Sequence, residues 1–105
     1  MIQAIKNLLG LGPKVDYTEL LKQGAVILDV RTKGEYTSGH IKGSINIPVE
    51  RLSGNLSQLN DKNKPIITCC ASGMRSASAE SILKSNGYKQ VYNGGGWSSL
   101  RYKIR

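Results

Sequence analysis

Pro65-Ile-Ile-Thr-Cys69-Cys70-Ala-Ser-Gly-Met-Arg75 runs directly into Ser76-Ala-Ser-Ala79-Glu-Ser-Ile-Leu83-Lys-Ser-Asn-Gly87. The first segment opens with an apolar run of strand length. A polar, glycine-containing turn follows, and Arg75 closes it. Helical spacing then takes over, because Ala79, Ile82 and Leu83 share one face and Gly87 supplies a stop. This predicts a buried strand, a tight loop and a helix beginning at about Ser76.

Working outward, the same alternation recurs. Asp16 to Gly24 has the marks of a short helix: Asp16 and Glu19 form a capping box, Val15 and Leu20 a hydrophobic staple, and Gly24 a C-terminal stop. Ala25-Val-Ile-Leu-Asp-Val30 follows and is apolar on both faces, which suits a buried parallel strand. Glycines 34, 39 and 43 predict a short helical turn and loops. Ser44-Ile-Asn-Ile-Pro48 alternates as a second strand. Val49, Leu52, Leu56 and Leu59 recur at helical spacing, with Gly54 expected to split that helix. Gln90-Val-Tyr92 reads as a further strand, Asn93 to Gly96 as a turn, and Trp97 to Ile104 as a terminal helix. Strands alternating with helices at this spacing predict an α/β fold with a parallel sheet covered on both faces.

The chain of 105 residues has room for one core. Its longest apolar run is Ala25 to Leu28, far short of the roughly 20 residues of a membrane span. Ile2, Ile5, Leu8 and Leu9 lie on one helical face, so residues 1–13 are expected to form an N-terminal helical extension and residues 14–105 the main domain. That helix is expected to pack on the domain, with a weak membrane-surface contact through Lys6 as the alternative. No small-residue cleavage site follows it, so it is not read as a signal sequence.

Fifteen basic and seven acidic residues give +8. Residues 1–52 hold seven basic and five acidic side chains, and residues 53–105 hold eight and two, so the second half is the stronger attractor of anions. The bases are scattered and form no block, which argues for a solvated surface or a small-anion site over nucleic acid. Cys69 and Cys70 are adjacent and are not expected to bridge each other. Zinc would need more ligands than these and the single histidine, His40. No metal or organic cofactor is therefore expected. Free thiols and the lack of a targeting segment point to the cytoplasm.

In an open parallel sheet, ligands sit beyond the carboxyl ends of the strands. Asp29-Val30-Arg31 and Cys70 to Arg75 reach that edge. A thiol at a helix N-terminus faces unpaired N–H groups and a partial positive charge, which favour the thiolate. Such settings move a thiol pKa from about 8.5 into a range of roughly 3.5–7.5. Arg75 is expected to add a full charge. Gly73 allows the loop amides to turn inward as an anion nest. On spacing alone, a reactive Cys70 and an ordinary buried core cysteine are both open readings.

Three stretches carry a resemblance. Leu28-Asp-Val-Arg-Thr-Lys-Gly-Glu-Tyr-Thr-Ser-Gly-His-Ile-Lys-Gly-Ser-Ile-Asn-Ile-Pro48 resembles the N-terminal signature of rhodanese domains. Thr68-Cys-Cys-Ala-Ser-Gly-Met-Arg-Ser-Ala77 is similar to their active-site loop. Gly87-Tyr88 and Val91-Tyr-Asn-Gly-Gly-Gly-Trp97 are similar to their closing segment. The resemblance as a whole covers roughly residues 14 to 100, in the family's order. Trp97 follows Gly96 directly where the family often inserts several residues, a departure that bears on the pocket wall near Trp97.

The resemblance implies a rhodanese-like fold of about five parallel strands with helices on both faces. It also implies sulfurtransferase activity. Cys70 falls on the persulfide-forming cysteine. Ala71, Ser72, Gly73, Met74 and Arg75 fall on the loop that cradles the sulfur; Arg75 is expected to act with Cys70 in catalysis, and Ser76 is expected to join the loop in binding the substrate. Asp29, Arg31, Glu35, Tyr36, Gly39 and His40 fall on the signature motif. Arg31 is a candidate for binding an anionic substrate, weighed against an ion pair with Glu35 or another acid. His40 is read as structural rather than as a base, and Cys69 as buried on the face opposite Cys70.

Related phosphatases and arsenate reductases of this fold carry one more residue between Cys and Arg. The six-residue loop here suits a single sulfur atom better than a tetrahedral oxyanion. The expected partners are a small anionic sulfur donor such as thiosulfate and a thiol or cyanide acceptor. A protein donor or acceptor is the alternative, and neither nucleic acid nor stable membrane insertion is expected.

Overall fold

A computed structural model describes residues 15–104. The expected N-terminal helical extension, residues 1–13, lies outside the described residues. Ten elements follow in order: α1 (Tyr17–Lys22), β1 (Val26–Asp29), α2 (Lys33–Ser38), β2 (Ile45–Asn46), 3₁₀ helices at Val49–Gly54 and Leu56–Leu59, β3 (Ile66–Cys70), α3 (Met74–Ser85), β4 (Val91–Gly96) and α4 (Trp97–Lys103). The strands form one parallel sheet in the order β2-β1-β3-β4.

The alternation of side chains along the strands divides the core in two. Leu28, Ile66 and Cys70 face one side, where Leu52, Leu59, Ala79, Leu83 and Tyr88 cover them. Ile27, Ile67 and Cys69 face the other, against Ile41 and Leu100, with Tyr17, Leu20 and Trp97 packed alongside. Helices thus cover both faces, as expected. All five residues of β3 are buried, which explains its continuous apolar run.

Four departures from the sequence expectation have physical causes. Four strands are present among the described residues, not about five. The four are those read from the residues themselves, and the stretch from Val49 to Leu59, expected to be helical, forms two 3₁₀ helices that lay Leu52 and Leu59 on the sheet. These replace the expected α-helix and break at Asn55 rather than at Gly54. The helix after the loop begins at Met74, two residues earlier than expected, with Gly73 as its N-cap.

The fourth departure is at Asn93 to Gly96, where the chain stays in the sheet rather than turning. Pairing runs Thr68 to Asn93 and then Cys70 to Gly96, so β4 carries one extra residue at a bulge. A Cβ on Gly94 would stand 2.8 Å from both the Ile67 side chain and the Thr68 carbonyl oxygen, and Gly95 has φ +78°. The glycine run is a close-packed bulge, and the turn-like composition reports the bulge.

Candidate active site

β1 and β3 end side by side, with Asp29 paired to Cys69 in register. The segments that follow them meet at this edge. After β1, Thr32 caps α2: its hydroxyl accepts from the Glu35 N–H, and the Glu35 carboxylate accepts from the Thr32 N–H. After β3, the chain turns through Ala71, Ser72 and Gly73 into α3. Gly73 takes φ +109°, a conformation that only glycine adopts without strain. That turn aims the Gly73 N–H at Cys70, 2.9 Å from Sγ. Ser76, one turn into α3, places its hydroxyl 3.5 Å from the same sulfur.

Two opposing effects act on the Cys70 thiol. Burial raises its pKa and is the largest single influence. Hydrogen bonding with the Ser76 side chain and with the backbone at Ser76, Gly73 and Ser72 lowers it, and together these win, leaving it below an ordinary thiol. Cys69, one residue earlier, points to the opposite face. Burial pushes it up to about 12, Asp29 adds to this, and Arg31 offsets only part. Two adjacent cysteines therefore differ in reactivity because of the face each occupies.

Ser76 is itself held. Its hydroxyl lies 2.6 Å from Asn93 Oδ1 and 3.0 Å from the Gly73 carbonyl. The Gly95 N–H donates to the same Asn93 oxygen, and Asn93 Nδ2 donates to the Gly73 carbonyl. Asn93 ties the bulge of β4 to the loop. Sequence reasoning passed over it because the glycine run around it reads as a turn.

The other candidates separate. Ala71, Ser72 and Met74 are exposed on the loop, and Met74 is 81% exposed. Arg75 does not stand free beside the thiol. Its guanidinium closes on Glu35, with Nη1–Oε1 at 2.7 Å and Nη2–Oε2 at 2.9 Å. Arg31 is 4% exposed and pairs with Asp29, not with the Glu35 carboxylate. Its remaining donors reach the carbonyls of Glu35 and Gly39. Its buried fork holds α2 and the following turn to β1. His40 stacks on Tyr36 at 3.8 Å and bonds the Tyr36 carbonyl through Nδ1.

The sequence carried an unread signal for Glu35. Thr32-x-x-Glu35 is a capping-box pattern that places a carboxylate at the start of a helix on the ligand edge. Among the described residues, no group of three or more His, Cys, Asp or Glu could hold a metal ion. None of their helices is long and apolar enough to cross a membrane.

The order of motifs and the cysteine cradle agree with a family match. The rhodanese-like domain model matches residues 14–101. This chain belongs to the rhodanese-like domain family. The rhodanese-like domain is 36% identical over 74 residues to the thiosulfate sulfurtransferase PspE of Escherichia coli, covering 70% of this chain and 71% of that protein. It is 40% identical over 80 residues to a putative sulfur carrier protein, YrkF of Bacillus subtilis, covering 76% of this chain and 40% of that one. Among solved structures it is similar to the human single-domain sulfurtransferase TSTD1, with a TM-score of 0.74, 26% identity, and coverage of 90% of this chain and 98% of that one. The chain spans between 14% and 71% of the length of curated relatives that it matches. Relatives of this rhodanese-like domain thus include sulfurtransferases and a sulfur carrier, and sulfur transfer is the chemistry they support for it.

Proposed function

We propose that this domain moves a sulfane sulfur from an anionic donor such as thiosulfate to a thiophilic acceptor, cyanide or a thiol, through a persulfide on Cys70. The observation that carries the reading is the Gly73 amide aimed at Cys70 Sγ from 2.9 Å, inside a loop of six residues. A sulfur anion at that point meets a hydrogen-bond donor without a proton having to move first.

In the first step the Cys70 thiolate attacks the outer sulfur of thiosulfate. The new S–S bond forms as the old one breaks, and sulfite leaves with the electron pair. In the second step cyanide or a thiolate attacks the outer sulfur of the Cys70 persulfide. Thiocyanate or a new persulfide departs, and the Cys70 thiolate is regenerated. Charge and atoms balance in both steps, and ping-pong kinetics follow. Ala71, Ser72, Gly73, Met74 and Ser76 form the cradle, and Arg75 closes the loop. Two free thiols fit a reducing compartment such as the cytoplasm.

A second reading is a persulfide carrier that serves a protein partner. Met74, 81% exposed on the rim of the loop, favours it, as does the likeness to YrkF. The deciding experiment is intact-mass spectrometry of the reduced protein mixed with thiosulfate, alongside Cys70→Ser and Cys69→Ser. The expected result is one added sulfur in the wild type and in Cys69→Ser, none in Cys70→Ser, and discharge by cyanide. No gain in any form removes thiosulfate as donor and leaves the carrier reading, which loading by a protein persulfide then tests.

A further inference from the structure

The loop carries one cation, and the fold does not leave it free. Glu35 lies 40 positions from Arg75 in sequence yet closes on both of its terminal nitrogens. The carboxylate is fixed from behind. The Thr32 N–H donates to Glu35 Oε1 at 3.0 Å and the Thr32 hydroxyl at 3.1 Å. Glu50 places a second carboxylate within electrostatic reach of Arg75. The other side chains of the loop, Ala71, Ser72 and Met74, are uncharged. At the loop, then, the Arg75 guanidinium is already paired with the Glu35 carboxylate, while Lys33, Glu50 and Arg51 line the cleft beside Thr32.

The mask is permanent across the working pH range. Hydrogen bonding from Arg75 first, then from the Thr32 backbone, holds Glu35 down to about 2. An incoming anion gains little net attraction from an arginine already paired, and each further charge it carries meets the carboxylates. We infer that Glu35 is a specificity-determining residue that ranks sulfur donors by charge, setting a monoanionic donor ahead of a dianionic one that presents the same outer sulfur. This rests on the reading of Cys70 as the sulfur carrier.

Thiosulfate and methanethiosulfonate make the matched pair. Cys70 attacks the outer sulfur of either. Sulfite leaves from the first and methanesulfinate from the second, each with the electron pair of the broken S–S bond. The two donors differ by one unit of charge at the far end.

The test is single-turnover loading of the reduced full-length chain with each donor, followed by intact mass at fixed ionic strength, for the wild type, Glu35→Gln and Glu50→Gln. Gln at position 35 keeps an acceptor for Thr32 and Arg75 and removes the charge. The thiosulfate-to-methanethiosulfonate rate ratio is expected to rise about three- to tenfold in Glu35→Gln, as for one charge removed a few ångströms away near a protein surface. A smaller rise in the same direction is expected in Glu50→Gln, which makes no hydrogen bond to the loop. An unmoved ratio in both variants overturns the charge ranking. So does an equal loss with both donors in Glu35→Gln, since Glu35 would then only hold the loop in place. A wild type that accepts sulfur from neither donor overturns instead the reading of Cys70 as taking sulfur from a small anionic donor.

Discussion

Arg31 closes its guanidinium fork on Asp29, with Nε–Oδ1 at 3.0 Å and Nη2–Oδ2 at 2.7 Å, and both side chains are buried. The Arg31 backbone N–H donates to the same carboxylate. The hydrogen bond that Arg31 donates to Asp29 raises its pKa against the opposing cost of burial. Removing one member of a buried pair leaves the other uncompensated, which costs roughly 3–5 kcal/mol. Asp29→Ala is therefore expected to lower the urea midpoint sharply. Arg31→Lys is expected to rescue little, because one ammonium cannot span Asp29 and the carbonyls of Glu35 and Gly39. A midpoint within error of wild type for Asp29→Ala would contradict the account.

The two thiols offer a second measurement. At neutral pH, iodoacetamide is expected to add one group to the folded protein, at Cys70. Cys69 is held as the thiol, pushed up to about 12 by burial. In Ser76→Ala the Cys70 thiolate loses its hydroxyl partner, so its alkylation profile moves to higher pH. Alkylation at pH 7 should slow by about tenfold, the order of one hydrogen bond to a charged group. Peptide mapping that found Cys69 modified first would contradict the face assignment.

Acid provides the third. The folded-state pKa of Glu35 lies at about 2, below its ordinary value of 4.5. A depressed carboxylate contributes stability that is present above pH 4.5 and lost as the pH falls from there toward 2. Glu35→Gln is expected to be less stable than wild type at pH 6, with the gap narrowing below pH 4.5 and closing only toward pH 2. The pair is about one-third exposed, so the gap is small and narrows with salt. A gap undiminished at pH 2 would assign the effect to packing instead of charge.

Much of this was legible in the sequence. The continuous apolar runs at Ala25–Val30 and Pro65–Cys69 require strands buried on both faces, and hence a parallel sheet between helices. The period of two sends Cys69 and Cys70 to opposite sides. Glycine at position 73 permits the turn that faces amides to the sulfur. These depend on local geometry, which neighbouring residues settle among themselves.

What tertiary structure decided concerns pairs distant in sequence. Arg75 meets Glu35 because β1 and β3 are neighbours, so the segments after them share one edge. Asn93 meets Ser76 because a bulge in β4 brings it against the loop. Tertiary structure also settles one pair close in sequence: Arg31 takes Asp29 over Glu35 because the sheet buries the Asp29 carboxylate and leaves it needing a partner. Chemical type and local spacing put Cys70 at the end of a buried strand, one tight glycine turn before a helix, whereas the charge around it depends on which strands lie side by side.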